Sequence, residues 1–222
     1  MISYGGVNIT WLGHDGFRIE GGGIEAVIDP FRLMMRGRRP AHVIFITHNH
    51  FDHCSPSDLQ NVVDERASIV IAARNCEKEL VGVAAREVRS VDPYQSGEAY
   101  GIRYRTVRAY NVNKFRSPGI PFHSKEYGGL GFIIEIEGVK IYHAGDTDKI
   151  PEMSSVGEVD VALLPVSGVY VMTADEAASA AEVIRPKLAI PMHFGSIVGS
   201  ASDAERFKRL CRCRVEVLKV EE

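Results

Sequence analysis

A chain of 222 residues with 26 basic and 29 acidic side chains, a formal net charge of −3, 45% hydrophobic and 25% charged residues has the balance of a soluble globular protein with a sizeable core. Near-neutrality excludes a domain-wide basic footprint for nucleic acid, though not a local patch, and no apolar run is long enough to span a bilayer. The four cysteines, Cys54, Cys76, Cys211 and Cys213, include no C-x-x-C pair and argue against a disulfide scaffold, and Met1 to Thr10 lacks a secretory pattern, so the expected compartment is the cytoplasm.

The first segment reads as three short strands, Val7–Trp11, Gly16–Glu20 and Ala26–Ile28, in an antiparallel meander broken by Gly13-His14-Asp15-Gly16 and Gly21-Gly22-Gly23. A basic segment, Arg32 through Arg39, leads into the apolar run Val43 to Ile46, a buried parallel strand. Ser55-Pro56-Ser57-Asp58 opens a helix, with a capping serine, proline at the first helical position and an acid in the first turn. Then follow a strand at Ser68–Ala72, a helix around Asn75–Leu80, and strands at Ala85–Val88, Glu98–Ile102 and Arg103–Ala109. Asn111 to Gly129 lacks periodicity, and long unstructured segments in compact domains are often functional. Leu130–Ile136 and Val139–His143 form a hairpin across Glu137-Gly138, and Val159–Pro165 and Leu188–Pro191 are further strands. Capping boxes at Thr173 to Glu176 and Ser202 to Glu205 start two helices, the first ending before Pro186 and the second running to about Leu210. No repeat or linker divides the chain, so residues 1–222 read as one domain of two packed sheets with helices outside.

The chemistry concentrates at strand ends. Thr47-His48-Asn49-His50-Phe51-Asp52-His53 follows directly on Val43 to Ile46, and the carboxyl edge of a parallel sheet is where rigid scaffold presents loops to solvent. Imidazole and carboxylate are ligands for zinc and also suit manganese or iron. Four such residues, His48, His50, Asp52 and His53, exceed what one ion with an open position needs, so two ions are expected. A lone histidine in a loop would simply be solvated; this density is not explained that way. Two later strands repeat the pattern: Lys140 to His143 runs into Ala144-Gly145-Asp146-Thr147, and Leu188 to Met192 ends in His193. Singly, each would be a turn aspartate or a satisfied core histidine. Together with the first cluster they read as ligands.

His48, His50, Asp52 and His53 in H-x-H-x-D-H spacing, then Gly145-Asp146-Thr147, then Pro191-Met192-His193, resemble the metallo-β-lactamase superfamily over most of the chain. Trp11-Leu12-Gly13-His14, Asp29-Pro30, Tyr142 to Thr147 and Leu164-Pro165 resemble its short metal-dependent hydrolases related to ascorbate-phosphate lactonases. The resemblance implies an α/β fold, a four-layer αββα sandwich of two mixed sheets with the metals in loops at one edge. It implies that His48 and His50 hold one ion, that Asp52, His53 and His193 hold the other, and that Asp146 bridges them. His14 and Asp29 match positions that orient ligands. One departure stands out. The family's further histidine for the first ion is expected after the strand that ends at Ala109, where this chain has Asn111; the nearest histidine, His123, lies twelve residues on. Either His123 swings in, or Asn111 or water fills the place. His143 reads as structural or at the rim, and His42 as surface.

Two bridged divalent ions, with zinc expected first, lower the pKa of water towards ~7 and stabilise charge developing on the substrate, which is hydrolytic chemistry. Asp52 is the candidate to accept or relay a proton. No Gly-x-Ser-x-Gly, Ser-x-x-Lys or phosphate-loop sequence supports serine acyl transfer or nucleotide triphosphate chemistry. Arg32, Arg36, Arg38 and Arg39 suit an anionic group, or form a solvated basic loop. The expected substrate is a small anionic ester, lactone or phosphodiester, with a homo-oligomer compatible. Alternatives are a nuclease or RNA-processing phosphodiesterase, which the missing basic excess disfavours, and a non-catalytic metal-binding regulator.

Overall fold

Apolar runs joined by tight glycine turns fold as hairpins, and the chain begins with three of them. The computed structural model describes residues 1–221, with the backbone alone at Arg36. In it β1 (Ile2–Tyr4), β2 (Val7–Gly13), β3 (Gly16–Gly21) and β4 (Ile24–Ile28) form an antiparallel meander. The sequence reading missed β1, although Gly5-Gly6 is a hairpin signal and both residues take positive φ, 57° and 85°. Parallel strands β5 (Val43–Ile46), β6 (Ile69–Ala73) and β7 (Glu87–Val91) extend this sheet in chain order. Between β5 and β6, α1 (Pro56–Leu59) is one turn capped by the Ser55 hydroxyl.

The second sheet repeats the plan. Strands β8 (Ser96–Ala99) and β9 (Ile102–Arg108) meet at a turn through Tyr100 and Gly101, where the sequence reading ran a strand through. Tyrosine is a poor signal for positive φ; here its hydroxyl donates to the Ala67 carbonyl (2.6 Å) and its ring packs against His42, which fixes the turn. His42 is accordingly half-buried rather than on the surface, and its Nδ1 accepts from the Glu25 amide (3.1 Å). The long segment after β9 contains a small hairpin, β10 (Phe115–Ser117) with β11 (Ile120–Pro121). Strands β12 (Leu130–Ile136) and β13 (Val139–His143) form the expected hairpin, and β14 (Val161–Pro165) pairs in parallel with β13. Next, α2 (Ala174–Ile184) starts at the Thr173–Glu176 capping box. Strand β15 (Leu188–Met192) then precedes α3 (Ala201–Leu210) and β16 (Arg214–Val215). The cap of α3 sits two residues earlier than expected, because Asp203 reaches back to the Ser200 amide (2.8 Å). The expected helix at Asn75–Leu80 is a single 3-10 turn, Arg74–Cys76, too short to nucleate a helix and followed by Gly82.

The sheets pack face to face, with Phe45 of β5 against Phe132 of β12 (ring centroids 5.1 Å) and Tyr104 of β9 (5.8 Å). One buried cluster runs through both faces. Truncating a fully buried ring such as Phe45 to alanine costs ~3–5 kcal/mol. Helices α2 and α3 cover the second sheet against β14 and β15, while the first carries only α1 and 3-10 turns outside. Among the described residues no helix is long and apolar enough to cross a membrane. The consequence for function is geometric: β5, β13 and β15 all end at the same edge of the sandwich, where their carboxyl-terminal loops meet.

Candidate metal centre

The β5 loop is shaped first by its backbone. The His50 carbonyl accepts from the amides of His53 (3.0 Å) and Cys54 (2.8 Å), folding Asp52 and His53 back over His48. Asp29, at the end of β4 with φ 43°, lies beneath. One of its oxygens accepts from the Thr47 amide (2.8 Å), the other from the Thr47 hydroxyl (2.6 Å) and His53 Nδ1 (2.8 Å). Because the Thr47 hydroxyl donates to Asp29, it accepts from His48 Nδ1 (3.0 Å). Both imidazoles thus carry a proton on Nδ1 and turn Nε2 into the site, the nitrogen that each would offer a metal. Asp29 therefore has the orienting position expected of it.

The bridging-aspartate turn follows β13. Gly145 has φ 64°, and a Cβ there would stand 2.4 Å from the Leu130 carbonyl oxygen, so only glycine lets the chain pass and bring Asp146 into the site. His143, buried, is structural: its Nδ1 accepts from the Gly145 amide (3.2 Å), leaving Nε2–H to donate to the Asp15 carbonyl (2.9 Å). His193, at φ 59° after β15, is held through its amide to the His14 carbonyl (3.1 Å) and through Nδ1 to the Ser167 hydroxyl (3.0 Å).

Asn111 and His123 resolve the departure noted in the sequence. The segments at the two residues pair, Asn111 amide to His123 carbonyl (2.8 Å), and Asn111 Oδ1 accepts from both the His123 amide (2.8 Å) and His123 Nδ1 (2.9 Å). The Asn111 amide orientation is set by its donation to the Tyr170 carbonyl (2.7 Å). His123 Nε2, left unprotonated, lies 3.1 Å from His50 Nδ1 and 3.4 Å from Asp146 Oδ2. Asn111 thus faces the histidine rather than the site, and supports it from behind.

Donor atoms of His48, His50, His123 and Asp146 fall within 4.8 Å of one another, as do those of His14, Asp52, His53 and His193, and of Asp15, His53, Asp146 and His193. All seven residues expected in the site converge. Asp146 is central, 3.4 Å from His53 through Oδ1 and 3.4 Å from His193 through Oδ2. His14 is oriented like Asp29: its Nε2 lies 3.0 Å from Asp52 Oδ2 and holds that carboxylate. Two residues at the site carry no motif in the sequence: Asp15, in a glycine-flanked turn, and Tyr127, whose hydroxyl bonds Asn49 beside His50.

The residues fit divalent cations. His53 Nε2, His193 Nε2 and Asp146 Oδ1 are buried without hydrogen-bond partners, an arrangement that costs free energy unless a cation completes it. His48 Nε2 and His123 Nε2 both face His50 Nδ1 at 3.1 Å, which one proton only half satisfies. The electrostatics agree. Burial pushes His48 and His50 down and holds His123 at about 4, so these rings are neutral ligands at neutral pH. Burial also opposes charge on His53 and His193, but Asp146, with Asp29 for the first and Asp15 for the second, outweighs it: His53 is raised well above its ordinary value and His193 to about 9. Burial works against the Asp146 carboxylate too, yet His193 and His53 draw it well below the carboxylate range, whereas burial drives Asp15 well above it.

Residues 8–193 match the family model described as Beta-lactamase superfamily domain. A metal-dependent hydrolase of Pyrococcus furiosus is 31% identical over 96% of this chain and 96% of its own, and one of Rubrobacter xylanophilus is 34% identical over 94% and 90%. The chain is a metal-dependent hydrolase of the metallo-β-lactamase superfamily. Among solved structures this hydrolase superposes on a candidate metal-dependent hydrolase of Parabacteroides distasonis with a TM-score of 0.82 at 27% identity, covering 97% of this chain and 94% of that one. It also shares its fold, at 13% identity and a TM-score of 0.76, with CmlA, a diiron β-hydroxylase of Streptomyces venezuelae, covering 99% of this chain and 54% of that one. The sandwich by itself therefore does not dictate one metal or one reaction.

The arginines before β5 are mostly engaged. Arg39 pairs with Glu20 (2.6 Å) and Glu25 (2.9 Å), and Arg38 Nε donates to the Leu33 carbonyl (3.1 Å). The Arg36 side chain lies outside what is described. Arg32 remains exposed, its guanidinium 5.0 Å over the Phe31 ring, which packs edge-on against both His14 and Phe51 beside the site.

Proposed function

We propose that the hydrolase uses a dinuclear centre to cleave a small anionic ester, lactone or phosphodiester. In this reading His48, His50 and His123 hold one ion, Asp52, His53 and His193 the other, and Asp146 is shared. The observation that carries it is the convergence of unprotonated or unpartnered donor atoms on two sides of one buried carboxylate. Zinc is the ion we place first, with manganese or iron compatible with the same donors. Such ions polarise the scissile group and lower the pKa of water to ~7.

The protein's own contribution is positional. Asp52, whose carboxylate His14 draws below its ordinary range against the opposing effect of burial, is ionised at neutral pH and placed to take a proton from the attacking water. Arg32, stacked on Phe31 at the mouth, gives the substrate's negative charge a planar donor. Phe51, 66% exposed between His50 and Asp52, offers an apolar face beside it.

The test is turnover of a panel of carboxylic esters, lactones and phosphodiesters by protein reconstituted with zinc or manganese. Chelator-sensitive hydrolysis of at least one class is expected, with Asp52→Asn folded but losing at least ~10²-fold in kcat/KM. Full metal occupancy without hydrolysis of any class would overturn the reading.

A further inference from the structure

Asp15 has no role in the motifs above, yet it is among the most constrained side chains of the molecule. It is fully buried, and both of its carboxylate oxygens lack a hydrogen-bond partner. A carboxylate withdrawn from water with neither oxygen satisfied is costly unless something in the native protein compensates it. Its backbone is held firmly. The His14 carbonyl accepts from Trp11 Nε1 (2.9 Å) and the His193 amide (3.1 Å), and the Asp15 carbonyl accepts from His143 Nε2 (2.9 Å). Through His143 the Asp15 turn is tied to the Gly145 amide, and so to the turn that presents Asp146. The carboxylate these bonds position has a donor atom within 4.8 Å of those of His53, Asp146 and His193.

We propose that Asp15 is a further carboxylate donor of the second lobe, which makes that lobe harder and raises its preference for manganese relative to zinc. The inference rests on the two-ion reading. With Asp15 included, the second lobe gathers Asp15 and Asp146 with His53 and His193, two carboxylates to two imidazoles, against three imidazoles and one carboxylate in the first. Carboxylate-rich sets suit manganese, and imidazole suits zinc.

The experiment compares wild type with Asp15→Asn and Asp15→Ser by chelator-competition titration with Mn²⁺ alone and with Zn²⁺ alone. Metal content after dialysis and the melting temperature of the metal-free protein are read in parallel. In both variants manganese affinity of the second lobe is expected to fall by ~10–100-fold, the range for losing a group that supports a metal. Zinc affinity falls less, and the metal-free melting temperature holds, because the group removed is a buried carboxyl with neither oxygen hydrogen-bonded. Unchanged manganese affinity, an equal loss for both metals, or a lower metal-free melting temperature in both variants overturns the proposal, the last because it marks Asp15 as structural. Wild type that retains only one ion removes the two-ion reading itself, and the assignment of Asp15 with it.

Discussion

In the proposed centre the lobe built on His48, His50 and His123 and the lobe built on Asp52, His53 and His193 share Asp146 but are held in different ways. In the second, every donor sits within a residue or two of a strand end or a tight turn, and each has its own support: Asp29 behind His53, His14 behind Asp52, and the half-buried Ser167 behind His193. In the first, one donor of three arrives from an irregular segment and depends on a single side chain, Asn111, for both its place and its tautomer. That segment is fixed in turn by Asp148, whose Oδ2 accepts from the amides of Val112 (2.7 Å) and Asn113 (2.8 Å) two residues beyond Asp146. The difference shows how a side chain at a strand's end serves the site without entering it: Asn111 holds a histidine that a distant segment brings in.

The largest effect should come from the group the lobes share. Asp146→Asn is expected to release ions from both, with kcat/KM falling by ~10³-fold or more because several kcal/mol of charge stabilisation go with them; retention of two ions on metal analysis would contradict the central place given to Asp146. Next is Asn111→Ala, which frees His123 and should weaken the first ion alone by ~10–100-fold. Stepwise metal titration checks this, since equal weakening of both ions would show that the lobes are not separately supported.

In the metal-free protein the lobes should also part company with pH. His123, at about 4 when folded against an ordinary 6.5, binds its proton less readily than in the unfolded chain, so its contribution is present above 6.5 and lost as pH falls through 4. His193, at about 9, holds its proton more readily when folded, so its contribution is full below 6.5 and lost as pH rises through 9. Melting temperature should therefore fall on both sides of neutrality. His123→Gln should flatten the acid limb, and His193→Gln the alkaline one. The smallest change is Lys114→Ala, which removes the links from Lys114 to Asp148 (3.2 Å) and Glu176 (2.8 Å). Asp148 keeps the Val112 and Asn113 amides when Lys114 is lost, so the segment stays in place and first-lobe affinity should drop severalfold at most.

Much of this was legible in the residues. H-x-H-x-D-H after an apolar strand, an aspartate after glycine and a histidine after β15 are local patterns, and local patterns map directly onto strand ends. His123 was legible only as one of several ways to fill the place, because the pairing of the Asn111 and His123 segments is a tertiary fact. Asp15 was hidden because Gly-His-Asp-Gly looks like a solvated turn; burial of that turn under His193 and His143 cannot be seen in a window of four residues. The Tyr100 turn and the misplaced cap of α3 are smaller errors of the same kind, where one long-range or reciprocal hydrogen bond decided between neighbouring boundaries.

The strand order has a consequence for how the protein acquires its metals. The first sheet is made only from β1 to β7, and the second only from β8 onward, so the division falls near Tyr94 and no strand crosses it. Each half is a chain-contiguous unit whose strand neighbours are mostly neighbours in sequence. His48, His50, Asp52 and His53 belong to one half, and His123, Asp146 and His193 to the other. The proposed ligand set is therefore complete only with the two halves docked. An ion held by that set would draw its binding free energy at the seam, where it would oppose separation of the halves more than unravelling of either sheet.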